Sequence, residues 1–142
     1  MRRPFLILPL AALLALPALT QEGPQVTDGA GEVVALPSGQ EVVLQDVISN
    51  VPGPEGMTLR FRFVSPAVAP GGGLDFEAAS EAMQYLCDSY ALPRVPEFGP
   101  APEQIVISLS DMALPFGEAA PEAVQFFESY RIEEGACQWE MF

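Results

Sequence analysis

Apolar and polar positions alternate most cleanly over Met57–Val64, where Met57, Leu59, Phe61 and Phe63 share one face and Thr58, Arg60 and Arg62 the other. A period of two marks a strand with one buried and one solvated face. The alternation recurs over Gln104–Ser110, with Ile105, Ile107 and Leu109 inward. Glu32–Leu36 and Glu41–Ile48 are β-branched runs joined by Pro37-Ser38-Gly39-Gln40. Proline early and glycine late in such a connection predict a hairpin with a bulge. Glu122–Ile132 reads as a strand through Val124, Phe126, Tyr130 and Ile132, with Glu128 the misfit, although Pro121-Glu122 would also open a short helix. Glu133-Glu134-Gly135 then reads as a tight turn into Cys137–Phe142, where Cys137, Trp139 and Met141 point inward.

Between these strands the period changes. Over Asp75–Leu92, Phe76, Ala79, Met83, Leu86 and Tyr90 recur at intervals of three and four, and Cys87 lies on the same stripe. Glu77, Glu81, Gln84 and Asp88 repeat on the opposite side. Such a pattern buries one stripe of a helix and solvates the other. Asp75 suits the N-cap after Gly71-Gly72-Gly73, and Pro93 is expected to stop the helix. The predicted order is three strands, one helix, three strands. This is an α+β domain over residues 32–142, an antiparallel sheet of about five to six strands with one helix packed on one face.

The first 20 residues stand apart. Basic Met1-Arg2-Arg3, the apolar run Phe5–Leu16 and the polar Gln21-Glu22-Gly23 have the order of a secretory signal peptide, with cleavage expected near Ala18–Thr20. Residues 21–31 are then expected to be a flexible N-terminal arm. Export to a bacterial periplasm or beyond changes the reading of the two cysteines. In a reducing compartment Cys87 would be a buried free thiol; in an oxidising one, two inward-facing cysteines predict a Cys87–Cys137 disulfide.

The chain carries six arginines, no lysine, no histidine and 19 acids. Removing Arg2 and Arg3 with the leader leaves 4 Arg against 19 acids, a net charge of −15. That surface repels phosphate backbones and anionic headgroups, so neither nucleic acid nor peripheral membrane binding is expected. The apolar run is too short for a comfortable span, so no stable membrane insertion after processing is expected either. Without histidine, Ser–His, Cys–His and His-ligated metal chemistry are excluded. There is no calcium loop and no Cys-x-x-Cys, and Gly71-Gly72-Gly73 lacks the Lys-Ser/Thr of a phosphate loop. No metal or cofactor is expected. A carboxylate-dependent hydrolase remains as an enzyme reading, with Asp111 as its least arbitrary acid.

Two further features carry functional expectations. Arg60 and Arg62 are neighbours on the outer face of their strand, where each is expected to pair with an acid on an adjoining strand, the alternative being a ligand site. The loop Asp111–Gly117 holds Met112, Leu114 and Phe116, with Pro115 limiting its freedom. Asp111, Leu114 and Phe116 are the candidate partner-binding residues. Alternatively, Leu114 and Phe116 fold back to cap the core.

Tyr85-Leu86-Cys87, Ile105–Asp111, Pro115-Phe116-Gly117 and the segment Tyr130–Glu140 resemble an uncharacterised, domain-of-unknown-function family of small exported bacterial proteins. The resemblance implies the paired cysteines and little else. Similar sequences are sometimes labelled acetolactate synthase. The residues give that label no support: its catalytic chain is several times longer and binds thiamine diphosphate, for which no site is visible. The expected function is that of an exported, non-catalytic binding or envelope-accessory protein, whose partner is another exported protein. A small inhibitor of a secreted enzyme, cystatin-like by fold analogy, is the alternative.

Overall fold

The computed structural model describes residues 2–5, 9, 11–16 and 23–141, so the expected cleavage region Ala18–Thr20 lies outside the described residues. Seven strands form one sheet: β1 (Gln25–Asp28), β2 (Val33–Ala35), β3 (Glu41–Gly53), β4 (Gly56–Val64), β5 (Gln104–Ser110), β6 (Gln125–Glu133) and β7 (Ala136–Glu140). The spatial order is β1-β3-β4-β5-β6-β7, and β2 lies beside β1 along the same edge of β3. All pairs are antiparallel except β4–β5. That pair is parallel because residues 65–103 cross one face of the sheet between the two strands, carrying the helix.

The arm expected over residues 21–31 instead supplies β1, which pairs with β3 from Gln25↔Ser49 to Asp28↔Asp46. Its four side chains are all exposed, so no alternation marked it. Backbone pairing to a long neighbour holds it in place. Gly29 follows, where the backbone presses against β3; a Cβ there would sit 2.1 Å from the Leu44 carbonyl oxygen. The β2–β3 connection does close as a bulged hairpin, with Leu36 N–H donating to Gln40 and Gly39 at φ 88°. Glu134 and Gly135, at φ 50° and 75°, form the two-residue turn between β6 and β7.

The helix begins where expected. Asp75 Oδ1 accepts from the Ala78 N–H at 2.9 Å, and α1 (Phe76–Leu86) follows. It does not end at Pro93. A π turn (Cys87–Ala91), a single α turn α2 (Leu92–Arg94) and a 3₁₀ turn (Val95–Phe98) continue it to Gly99. The wider π turn moves the backbone bonding register, so that Leu92 N–H reaches Cys87 and Pro93 falls in the first turn of α2, where no donor is needed. Ala79, Ala82, Met83, Leu86, Cys87 and Tyr90 are buried against Leu59, Phe61, Phe63, Ile105, Ile107 and Leu109. Tyr90 meets Phe61 and Phe63 edge-on at 6.2 and 5.6 Å. Phe76, expected inward, is 65% exposed and rests on Phe126.

Cys87 and Cys137 form a disulfide with Cα atoms 6.1 Å apart. Gln84 and Asp88, expected to face solvent, flank this bridge. Asp88 Oδ1 accepts from the Cys137 N–H at 2.8 Å, and Gln84 Nε2 donates to the Cys137 carbonyl at 2.9 Å. The helix thus covers backbone groups of the edge strand β7 that would otherwise invite further strand pairing. Cys137 faces inward as expected, but Trp139 is 47% and Met141 81% exposed. Trp139 explains the misfit at Glu128: its indole N–H donates to Glu128 Oε2 at 2.6 Å across the β6–β7 hairpin.

Burial first, then a hydrogen bond involving Glu32, pushes the Tyr90 hydroxyl up to about 12 from an ordinary 10. Burial and the nearby Glu128 raise Tyr130 in the same direction. A pKa higher in the folded state than in the unfolded one gives stability that is complete below the unfolded value and lost as pH climbs towards the folded value. The melting temperature is therefore expected to hold up to pH 10 and to fall progressively towards about pH 12, more steeply than for a Tyr90→Phe protein. Identical profiles for the two proteins would contradict a buried, neutral Tyr90.

Candidate functional site: an arginine pocket beneath the 111–118 loop

The face of the sheet away from the helix is polar in its middle. Two rows cross it: Asp46, Arg62, Ser108 and Phe127 in one, and Ile48, Arg60, Val106, Ser129 and Glu140 in the next. A β-bulge at Gln45 creates this arrangement. Leu44 stands opposite Phe63 and Asp46 opposite Arg62, so Gln45 is an extra residue in β3. Bulges re-aim side chains. Here Asp46 is aimed at Arg62 and Gln45 at the loop after β5.

The two arginines, alike in the sequence, differ completely in their partners. Arg62 is buried and bidentate to Asp46, Nε to Oδ1 and Nη2 to Oδ2, both at 2.7 Å. This is the pairing with an adjoining strand that the sequence led us to expect. Arg60 has no such partner. It stands opposite Ile48 and Val106, both buried and apolar, and its Nε is buried without a hydrogen-bond partner among the described residues. Burial, and secondarily the neighbouring Arg62, lower the pKa of the Arg60 guanidinium. Ser129 Oγ, in the same row, is also buried without a hydrogen-bond partner among the described residues. Glu140, at the end of that row, is engaged: its Oε1 lies 2.9 Å from Arg131 Nη1, an ion pair although not a well-aligned hydrogen bond, and Gln104 donates to its Oε2 at 2.7 Å.

The loop after β5 closes over the arginines. Asp111 exchanges two bonds with Val124, its N–H donating to the carbonyl and its Oδ1 accepting from the Val124 N–H, both at 3.0 Å. Gln45 grips Leu114 like a neighbouring strand, its Nε2 donating to the carbonyl at 2.7 Å and its Oε1 accepting from the N–H at 3.2 Å. Leu114 is therefore buried and not available as an anchor, and Asp111 closes the base of the loop. Of the three expected contact residues, Phe116 alone presents itself, 37% exposed, with the guanidinium carbons of Arg60 and Arg62 6.0 and 5.7 Å from its ring centre. Those distances reach the outer range of a cation–π contact. Beneath it lies a pocket of about 230 Å³, lined by Arg60, Arg62, Pro115, Phe116, Glu118 and Gln125.

Sequence reasoning named Arg60, Arg62 and the loop separately. It placed Glu118 beside Asp111 on the rim of that loop, but it missed Gln45 and Asp46, and it did not join the loop to the arginines. The one available signal was arithmetical: two adjacent outward arginines in a chain with few cations.

The fold is thus a helix-backed, mostly antiparallel sheet whose second face holds a loop-covered arginine pocket. A family described as "Family of unknown function (DUF6497)" matches residues 12–142, and the chain belongs to that family. No curated protein and no solved structure matches it.

Proposed function

We propose that the protein is a small, exported, non-catalytic binding protein, an envelope accessory whose contact surface is the 111–118 loop and the pocket beneath it. The carrying observation is the state of Phe116. An aromatic side chain is held partly exposed over two guanidiniums, on a loop pinned through Gln45 and Leu114. Rigid aromatic and arginine side chains are the residues on which interfaces concentrate their energy, and a pinned loop loses little entropy on binding. The pocket's polar groups also suit holding better than reacting. Asp46, outside the lining, is committed to Arg62, and Glu118 is the single carboxylate of the lining among the described residues. The basic leader and the disulfide support the compartment.

The test is affinity capture from the native compartment, with wild-type protein and a Phe116→Ala variant as baits. Phe116 is only partly buried, so the variant is expected to stay folded and lose about 1 kcal/mol or less. Capture of a defined component should fall at least tenfold. A folded variant that captures the same component as the wild type would refute the site. Capture no better than that of a charge-matched acidic protein would refute the binding role.

A further inference from the structure

We propose that the pocket holds a carboxylate, received by the fork of Arg60, with the apolar part of the ligand lying against Phe116. The proposal rests on the binding role above and specifies its chemistry.

The need for a ligand group is electrostatic. A guanidinium has five N–H donors and cannot shed its charge at physiological pH. Arg60 is half-buried between two apolar residues, with a buried Nε and no ion pair among the described residues. The protein is not short of partners: there are 19 acids in the chain, and the neighbouring Arg62 takes one bidentately at 2.7 Å. A desolvated, unpaired charge opposes folding. Its placement at the wall of a pocket identifies where a partner for it would enter.

Three features select the ligand's class. First, one uncommitted guanidinium matches one monoanion in bidentate geometry. A phosphate dianion needs more donors, and Asp46 has already neutralised Arg62. Glu118 on the lining and the net charge of −13 further disfavour multiply charged ligands. Second, Phe116 and Pro115 supply an apolar wall beside the cation, so the carboxylate should carry an apolar substituent. Third, about 230 Å³ is smaller than the ~300–1,000 Å³ of sites that enclose drug-sized ligands. It suits one small organic acid or one terminal residue of a peptide.

The experiment is a calorimetric titration of the full mature protein with four probes. They are benzoate, N-acetyl-Ala-Phe with a free C-terminal carboxylate, the same dipeptide as its C-terminal amide, and inorganic phosphate. At least one carboxylate probe should bind saturably with Kd of about 1 mM or tighter, and the amide at least tenfold more weakly. A peptide tenfold tighter than benzoate points to a peptide terminus; comparable affinities point to a free organic acid. Arg60→Gln should weaken carboxylate binding at least tenfold, and Arg60→Lys several-fold, because an ammonium lacks the planar fork. Both variants should melt no lower than the wild type, since the charge removed or moved has no ion-pair partner among the described residues.

The proposal is overturned if neither carboxylate saturates, if the amide binds equally well, if phosphate binds more tightly than both carboxylates, or if Arg60→Gln binds unchanged. The carboxylate–amide comparison needs no variant and stands even if substitution disturbs folding. If the titrations fail while capture through Phe116 persists, the ligand chemistry is wrong and the binding role survives. If both fail, the binding role fails with it.

Discussion

A Cys87→Ala/Cys137→Ala protein is expected to be less stable by about 4 kcal/mol, and to melt lower by roughly 12–20 °C. The bridge spans a sequence separation of 50 residues, so cutting it frees a large loop in the unfolded chain, which is the main source of the loss in the chain-entropy account. The native state suffers as well. Both cysteines are buried, and the bridge lies beside the Gln84 and Asp88 bonds that tie the helix to β7. Differential scanning calorimetry of the oxidised, reduced and double-variant proteins checks this. The reduced wild type should fall close to the variant, and the Trp139 environment should loosen in both before the rest of the sheet melts. A loss under about 1 kcal/mol would mean that β6 pairing and the Gln84 and Asp88 bonds hold the C-terminal strand without the bridge.

The second large effect is expected at Asp46. Asp46→Ala removes the only ion-pair partner of Arg62 among the described residues and leaves a buried guanidinium uncompensated. Breaking one side of a buried pair costs about 3–5 kcal/mol, whereas replacing both sides by apolar residues of similar size is often neutral. Urea unfolding should therefore show a large loss for Asp46→Ala and recovery of most of it in Asp46→Leu/Arg62→Met. Arg60→Gln, on the same strand, should lose nothing. The contrast separates an arginine that holds the fold together from one that does not. Equal losses for Asp46→Ala and Arg60→Gln would remove the distinction on which the pocket is built.

Much of the helix and the six strands β2–β7 were legible because their apolar side chains recur along one face. Residues such as Leu59, Phe61 and Phe63 repeat with the pleat, and Ala79, Met83 and Leu86 with the helical turn. Elements held by something other than side-chain burial were not legible. β1 is exposed along its length and held by backbone bonds to β3. The continuation of the helix through Pro93 depends on a π turn, which side-chain spacing does not encode. Gln84 and Asp88 read as solvent-facing because their partner is a backbone 49–53 residues away.

The same division runs through the site. Periodicity along the chain already put Arg60 and Arg62 on the polar face of one strand, a proline-bearing apolar loop after β5, and two cysteines on inward faces. Local periodicity is enough for each of these statements, since each concerns a single element. Which arginine is paired depends on how the strands come together. That choice turns on one extra residue in β3, the bulge at Gln45, which points Asp46 at Arg62 and Gln45 at Leu114 while leaving Ile48 opposite Arg60. The register between strands is a non-local quantity set by how the whole sheet packs beneath its helix. No pattern within β3 or β4 alone fixes it, and through it one of two similar arginines became part of the scaffold and the other the wall of a pocket.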